Sequence, residues 1–303
     1  MRHYNKEKRM KILITGGSGY VGSNIAAWLK QNTDFRVIGI YNSRYPTRFF
    51  DETVPCNLAD YSQKSLLDRI ECDVLIHVAG CFYADSIYGY INNNIKATEN
   101  ILCFAHKKRV KKFIYISTTS VYGETSEEVS EASKGIGLSD YGLAKRMCER
   151  MVEESYIQSR LILRLSSTLG GYDNDYTRPW LPKVAYQMLK DEDIKYYNPN
   201  LYYNAVVYVK DVAEFVCQFV DMQKEGCFDY ILASNNPMSI LEVLMLLKVE
   251  IGSNSRLIEK EAHEANRCYA LNINKAVSNG FNARSVEEVI KLFARDVLWQ
   301  ENK

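Results

Sequence analysis

The sequence predicts an α/β fold, a doubly wound parallel sheet followed by a smaller C-terminal α/β region. Three observations predict it. Short apolar runs alternate with helix-period segments over the first two-thirds of the chain. The first run, KILIT (11–15), passes directly into TGGSGYVG (15–22), where three spaced glycines open a helical stretch. After Gly170 the alternation loosens into GGYDNDYTRPWLP (170–182), a loop rich in Gly, Asp, Asn and Pro.

Strands are expected at 11–15, 36–41, 73–78, 112–117 and 160–166, and helices between them at 20–31, 62–71, 87–108 and 139–158. The strand runs are short and continuously apolar. A strand wet on one face would alternate instead, so these read as parallel strands covered on both faces. Right-handed crossovers then wind the helices onto both sides of the sheet. Beyond the loop, helices are expected near 182–190 and 211–223, then short strands, then a terminal helix near 286–299. Residues 1–165 read as one domain. Residues 166–303 read mainly as a second, with about 203–225 returning to the first.

Composition excludes several classes of function. The 303 residues carry a net charge of +1, so no global field draws the chain to nucleic acid or an acidic membrane. The basic run Lys107-Lys108-Arg109 reads as the solvated end of a helix. Eight cysteines show no CxxC spacing and four histidines do not cluster, so no metal site is expected. Scattered, unpaired cysteines suit a reducing compartment. No run of about 20 apolar residues marks a membrane span. The start, MRHYNKEKRM, lacks the apolar core of a signal segment. The expected location is the cytoplasm.

The glycine stretch has a chemical reading. Gly16 lets the chain turn sharply off the first strand, Gly19 lets backbone N–H groups approach a pyrophosphate, and Gly22 lets the helix pack closely on the sheet. The start of that helix adds partial positive charge where phosphates would sit. A strand before and a helix after is the context that a dinucleotide (Rossmann) site requires.

A second stretch, SDYGLAK (139–145), places Tyr141 and Lys145 four apart on one helix face. A phenol titrates near pH 10, too high for a base at neutral pH, and a lysine ammonium one turn away lowers that value. Such a pair can pass a proton to or from an alcohol while a nicotinamide exchanges hydride with the same carbon. YISTTSVYG (115–123) ends a strand just upstream and offers Ser117, Thr118 and Thr119 hydroxyls to the same oxygen, with Thr118 preferred. His77 reads as a packed strand residue.

These stretches occur in order with CNLAD (56–60), LIHVAG (75–80), NIKATENIL (94–102), LRLSSTLG (163–170), VVYVKDVAEFV (206–216) and INKAVSNGF (273–281). In this order they resemble the extended short-chain dehydrogenase/reductase family, the sugar-nucleotide epimerase/dehydratase group, from Lys11 to about Leu298. The resemblance implies that Tyr141 is the acid/base, Lys145 its partner and a ribose ligand, and Thr118 the hydroxyl beside the substrate carbonyl. It implies a cofactor site of Gly16, Gly19, Tyr20, Val21, Gly22, Ala79 and Gly80. Asn57, Leu58 and Asp60 fall on the adenine side, with Asn57 where the family has aspartate. Asn94 would support the sheet end.

The resemblance also narrows the reaction. Dehydratases of the family carry Asp-Glu after the catalytic threonine, where this chain has Thr119 and Ser120. Members that bind NAD usually end the second strand with an acid, whereas IGIYNSRYPTR (38–48) has none. Asn42, Ser43 and Arg44, with Arg48 as helper, suit a 2′-phosphate, so NADP is favoured over NAD. The family's phosphate-clamping arginine aligns with Asn204. Arg178 and Arg267 are the candidate replacements, and Thr119 and Ser167 the further substrate contacts. The expected function is reduction of the keto group of a nucleotide-linked 4-keto sugar with NADPH. The alternatives are an NAD-dependent nucleotide-sugar 4-epimerase and a dinucleotide-binding protein without turnover. The resemblance implies a homodimer through helices 87–108 and 139–158.

Overall fold

A computed structural model describes residues 9–45, 49–124, 128–172, 178, 180–261 and 270–301. The chain begins with β1 (Lys11–Thr15), α1 (Tyr20–Asn32) and β2 (Arg36–Tyr41), at the expected places. Then come β3 (Glu52–Pro55), β4 (Val74–His77), α2 (Ile87–Tyr90), α3 (Ala97–Lys107), β5 (Lys112–Thr118), α4 (Asp140–Glu153) and β6 (Ser159–Leu165). The remainder holds β7 (Ser167–Leu169), α5 (Leu181–Leu189), β8 (Ile194–Tyr196), β9 (Tyr202–Tyr203), β10 (Val206–Tyr208) and α6 (Val209–Asp221). Last are β11 (Gly226–Leu232), β12 (Met238–Ser239), α7 (Ile240–Ile251), β13 (Leu257–Glu259), α8 (Asn274–Val277) and α9 (Val286–Glu301).

Seven strands form the main sheet in the order β11-β6-β5-β4-β1-β2-β3. β1 lies inside it, parallel to β2 through Ile12↔Val37 and to β4 through Ile12↔Val74. The chain therefore winds outward from β1 in both directions, and the reversal beside β1 is where such sheets bind ligands. Ile12, Leu13, Ile14, Leu75 and Ile76 are fully buried, as strands covered on both faces require.

Several elements differ from expectation, the first being α7, a helix where only short strands are expected. β3 has no apolar run to announce it. It is an edge strand, half-exposed, with Pro55 at its end where a missing N–H costs nothing. The helix expected at 62–71 is a 3₁₀ segment, Tyr61–Leu67, capped by the Asp60 carboxylate. Among the described side chains that stretch buries Leu67 and Ile70, too little apolar face for a longer helix. The helix expected at 87–108 is continuous but carries a π-helical turn, Ile91–Lys96, between α2 and α3. α4 stops at Glu153 rather than 158, where Ser155 Oγ donates to the Val152 carbonyl and the chain turns toward β6.

The described chain groups into two compact units. The first comprises Met1–Ile116, Met147–Ile162 and Cys217–Phe228. Its core includes Leu13, Ile38, Leu75, Ile101, Phe113 and Cys148. The second comprises Ser117–Arg146, Leu163–Val216 and Asp229–Lys303. Its largest core packs α5, α7 and α9 around Leu181, Met188, Leu244, Leu247, Ile290 and Phe293. α7 begins with a capping box, Ser239 with Glu242, and ends at Gly252 in the left-handed region (φ 76°).

Candidate active site

In the first unit, the glycine turn is built as its sequence demands. Gly16 has φ +67°, and a Cβ there would stand 2.8 Å from the Ala79 nitrogen. A Cβ on Gly22 would run into the Gly16 carbonyl oxygen, so the first turn of α1 lies directly on the glycine loop. Gly17 N–H donates to the Ile40 carbonyl and Gly19 N–H to the Gly16 carbonyl. Among the described residues, α1 has no side-chain cap and no acid in its first turn. That leaves a positive helix end suited to an anion. A cradle that tolerates no Cβ, beside an uncapped helix end, fits a dinucleotide pyrophosphate.

Ala79 and Gly80 follow β4 beside this turn. Thr15 Oγ1 accepts from Val78 and Ala79 N–H at 3.2 and 3.1 Å, and lies 2.7 Å from His77 Nδ1. His77 Nε2 lies 3.0 Å from Thr98 Oγ1. His77 is fully buried between two hydroxyls and ties β1 to α3. Asn94, in the π turn, accepts from Cys81 N–H at 2.6 Å and donates to the Cys81 carbonyl at 3.1 Å. The π turn swings this amide onto the chain after Gly80, which gives the irregular helix a job.

Tyr20 and Val21 are half-buried in the first turn of α1, while Asn42, Ser43 and Arg44 are exposed at the end of β2. Among the described residues Arg44 has no ion-pair partner. Arg48 lies outside the described residues. Asn57 accepts from Ala59 N–H at 3.1 Å. Leu58 is buried, and its carbonyl accepts from Asn100. Asp60 is a helix cap: hydrogen bonds from Ser62 and Gln63 hold its carboxyl below the usual range.

Thr118, Tyr141 and Lys145 all lie in the second unit. Thr118 ends β5 and caps a short 3₁₀ turn, Thr119–Tyr122, accepting from Ser120 N–H and donating to Ser120 Oγ, both at 3.2 Å. Ser139 opens α4, its hydroxyl accepting from Gly142 N–H at 3.2 Å. Gly142 lies against the Ser120 carbonyl so closely that a Cβ would collide with it. The glycine after Tyr141 therefore brings the start of α4 onto the Thr118 turn. Tyr141 is half-buried, and Lys145, one turn on, is 4% exposed.

The expected substrate contacts are dispersed. Thr119 is half-buried in the 3₁₀ turn, and Ser167 is half-buried on β7 with its N–H donating to the Ala205 carbonyl. Arg178 is half-buried, and Arg267 lies outside the described residues. Asn204 is buried and clamps protein backbone. Its amide donates to the Ser234 and Leu271 carbonyls at 3.1 and 2.9 Å and accepts from Leu271 N–H at 2.9 Å. An arginine could not supply that acceptor. Among the described residues no group of His, Cys, Asp and Glu could hold a metal ion, and no helix is long and apolar enough to cross a membrane.

Two charged pairs escaped the sequence reading. Arg164, 2% exposed in β6, pairs with Asp229 at 2.9 Å and donates to the Tyr122 hydroxyl at 2.8 Å. Its signal is an arginine inside LILRL, since a buried charge demands a partner. Asp211, in the first turn of α6, is buried and pairs with Arg284 at 3.0 Å. Burial pushes its carboxyl up to about 6, Arg284 notwithstanding. The Arg284 side chain is 37% exposed, so water screens its field.

The model of the NAD dependent epimerase/dehydratase family matches residues 12–230. The chain belongs to that family. Membership makes it an enzyme of a family described as NAD dependent. It is 30% identical over 183 residues to an uncharacterised UDP-glucose epimerase of Bacillus subtilis, covering 53% of this chain and 57% of that one. It is 24% identical over 271 residues to dTDP-D-glucose 4,6-dehydratase of Bos taurus, covering 82% and 75%. The fold matches UDP-glucose 4-epimerase of Thermotoga maritima, solved with UDP-glucose, at a TM-score of 0.85. That match covers 97% of this chain and 100% of that one at 21% identity. An enzyme of Bordetella bronchiseptica solved with NAD+ matches at 0.81, over 95% and 98%, with 20% identity. These two likenesses show the fold.

Proposed function

We propose that this family member reduces the keto group of a nucleotide-linked 4-keto sugar with NADPH. The observation that carries the direction of the reaction is the end of β2, where Ser43 and Arg44 stand exposed and the sequence offers no acid for a ribose hydroxyl. When bound, the nicotinamide supplies hydride. The chain's own residues do the rest. The glycine turn and the open end of α1 hold the pyrophosphate. Tyr141 gives its phenolic proton to the oxygen that becomes the new hydroxyl. Lys145 holds the cofactor ribose and favours the phenolate left behind. Thr118 turns its hydroxyl from Ser120 Oγ to the reacting oxygen and holds it in line. Thr119 and Ser120 carry no carboxyl to remove a proton beside the carbonyl, which argues against dehydration.

A second reading, an NAD-dependent 4-epimerase, is favoured by the Bacillus subtilis relative described as a UDP-glucose epimerase. The same three side chains would then act first as base and later as acid. The deciding experiment offers UDP-4-keto-6-deoxyglucose with NADPH or NADH, and UDP-glucose with NAD, and identifies products by NMR. NADPH-dependent loss of the ketone supports the proposal. Interconversion of UDP-glucose and UDP-galactose by protein purified with NAD in place overturns it in favour of the second reading. Exposed Leu143 and Met147, one turn apart on α4, support a homodimer through this helix, and light scattering at a single-chain mass would rule it out.

A further inference from the structure

We infer that Arg164 is a positioning residue for catalysis, acting through the Tyr122 hydroxyl to fix the turn that carries Thr118. The inference rests on the proposed role of Thr118.

Arg164 sits in mid-strand between Leu163 and Leu165, both buried. An apolar residue would fill that place without the cost of desolvating a guanidinium. The guanidinium is nevertheless engaged. Its Nη1 donates to the Tyr122 hydroxyl at 2.8 Å, to Asp229 at 2.9 Å and, more weakly, to the Glu131 carbonyl at 3.4 Å. Its central carbon lies 5.4 Å from the Tyr122 ring centroid. Asp229 also pairs with Lys275 at 2.5 Å, and the Glu131 carboxylate accepts from Ile231 N–H at 2.9 Å. Two positive and two negative groups thus balance within the cluster.

The geometry of the turn gives this cluster a consequence. Thr118 and Tyr122 are the two ends of one short turn. Thr118 caps its start through Ser120 N–H. Tyr122 is its last residue, 4% exposed, and the next residue, Gly123, takes φ +67° and donates its N–H to the Ser120 carbonyl at 3.2 Å. Gly142 closes on that same carbonyl. The turn is gripped at its middle by Gly142 and at its far end twice, by Ile136, whose N–H donates to the Tyr122 carbonyl at 3.1 Å, and by Arg164 at the Tyr122 hydroxyl. Loss of the Arg164 hold leaves the far end on its backbone pairing alone, so the Tyr122 side chain shifts and the Thr118 hydroxyl moves with the turn. Reacting groups must be held within about 0.5 Å of their productive place, which a rigid planar donor can enforce.

The test is a double-mutant cycle of Thr118→Val and Tyr122→Phe, assayed with UDP-4-keto-6-deoxyglucose and NADPH and with UDP-glucose and NAD. Tyr122→Phe keeps the ring and removes the hydroxyl. It is expected to lower kcat about ten- to a hundredfold, the cost of a small misplacement, with KM for the nicotinamide unchanged. In the Thr118→Val background the same substitution is expected to cost less than about twofold, because its effect runs through Thr118. Losses that multiply overturn the inference and leave the proposed function standing. Thr118→Val at the parent rate, or a parent inert on both substrates, overturns both. Arg164→Lys is expected to recover part of what Arg164→Met loses. If Arg164→Met does not fold, the Tyr122 cycle still decides.

Discussion

Replacing Asp211 by asparagine is expected to make the second unit more resistant to alkaline pH, and the size of the effect follows from the burial of this carboxylate. Its pKa in the fold is about 6, against an ordinary 3.8, because the surrounding protein excludes water. Glu214 and Glu288 add repulsion, and Arg284 recovers only part of the loss. A raised pKa means that the native state binds the proton more tightly than the unfolded chain does. Stability from this group is therefore full below about pH 4 and is lost as the pH rises to about 6. The shift is about two pKa units, and at 1.36 kcal/mol each that is about 3 kcal/mol. Asp211→Asn cannot ionise and loses this slope. Urea unfolding of parent and variant at pH 4 and pH 7.5 measures it, with Trp180 and Trp299 reporting the second unit. The variant should gain about 2 kcal/mol on the parent between those two pH values, most of the full effect, since pH 4 lies just above the unfolded pKa. Parallel pH profiles, or a variant weaker at pH 7.5 than at pH 4 relative to the parent, would refute the reasoning and make the Arg284 pair the dominant force.

Gly19→Val should fold yet lose dinucleotide binding, because a Cβ there meets only the Gly16 carbonyl oxygen, at 3.2 Å. Unchanged cofactor affinity by calorimetry would exclude Gly19 from the pyrophosphate site. Arg44→Ala should weaken NADP about ten- to a hundredfold and leave NAD nearly unaffected, the cost of a charge-assisted bond to phosphate. Equal losses for both would remove Arg44 from the 2′-phosphate site. Tyr141→Phe should lower turnover about 10²- to 10⁴-fold with cofactor affinity preserved, while Lys145→Met damages both. Parent-rate turnover by Tyr141→Phe would disprove the acid/base assignment.

Much of the sheet is legible in the sequence because its strands are buried on both faces. KILIT and RVIGIY have no polar residue inside them, so their bounds coincide with β1 and β2. The edge strand β3 is illegible for the opposite reason. ETVP is half-exposed and its pairing to β2 is a matter of backbone register, which composition does not record. α7 was within reach. SILEVLMLLKVEIG carries a capping box at one end and a glycine stop at the other, but its apolar residues run all round the helix and blur the period. The π turn at Ile91–Lys96 leaves the helical pattern intact and shows only in where Asn94 points.

The site divides along the same line. Residues whose role is local can be read from spacing: glycines that must lack a Cβ, and two polar groups one helical turn apart. Gly142 belongs with them in principle, since YGLAK displays it, yet its task of meeting the Ser120 carbonyl depends on a residue 22 positions earlier. Arg164 lies further out of reach. Its partners Tyr122, Glu131 and Asp229 come from three separate stretches, and no spacing rule joins them. What the sequence does show is an arginine where a leucine would be cheaper. A buried charge without a visible partner is a demand for one, and here the partner is the far end of the Thr118 turn. Asn204 makes the converse point. The resemblance implies a substrate-binding position for it, but an amide both donates and accepts. The fold uses both functions to lace Leu271 and Ser234 together. On the proposed function, a chain with such a lace where the resemblance implies an arginine would hold its substrate's phosphates by other means, and Arg178 is the candidate among the described residues.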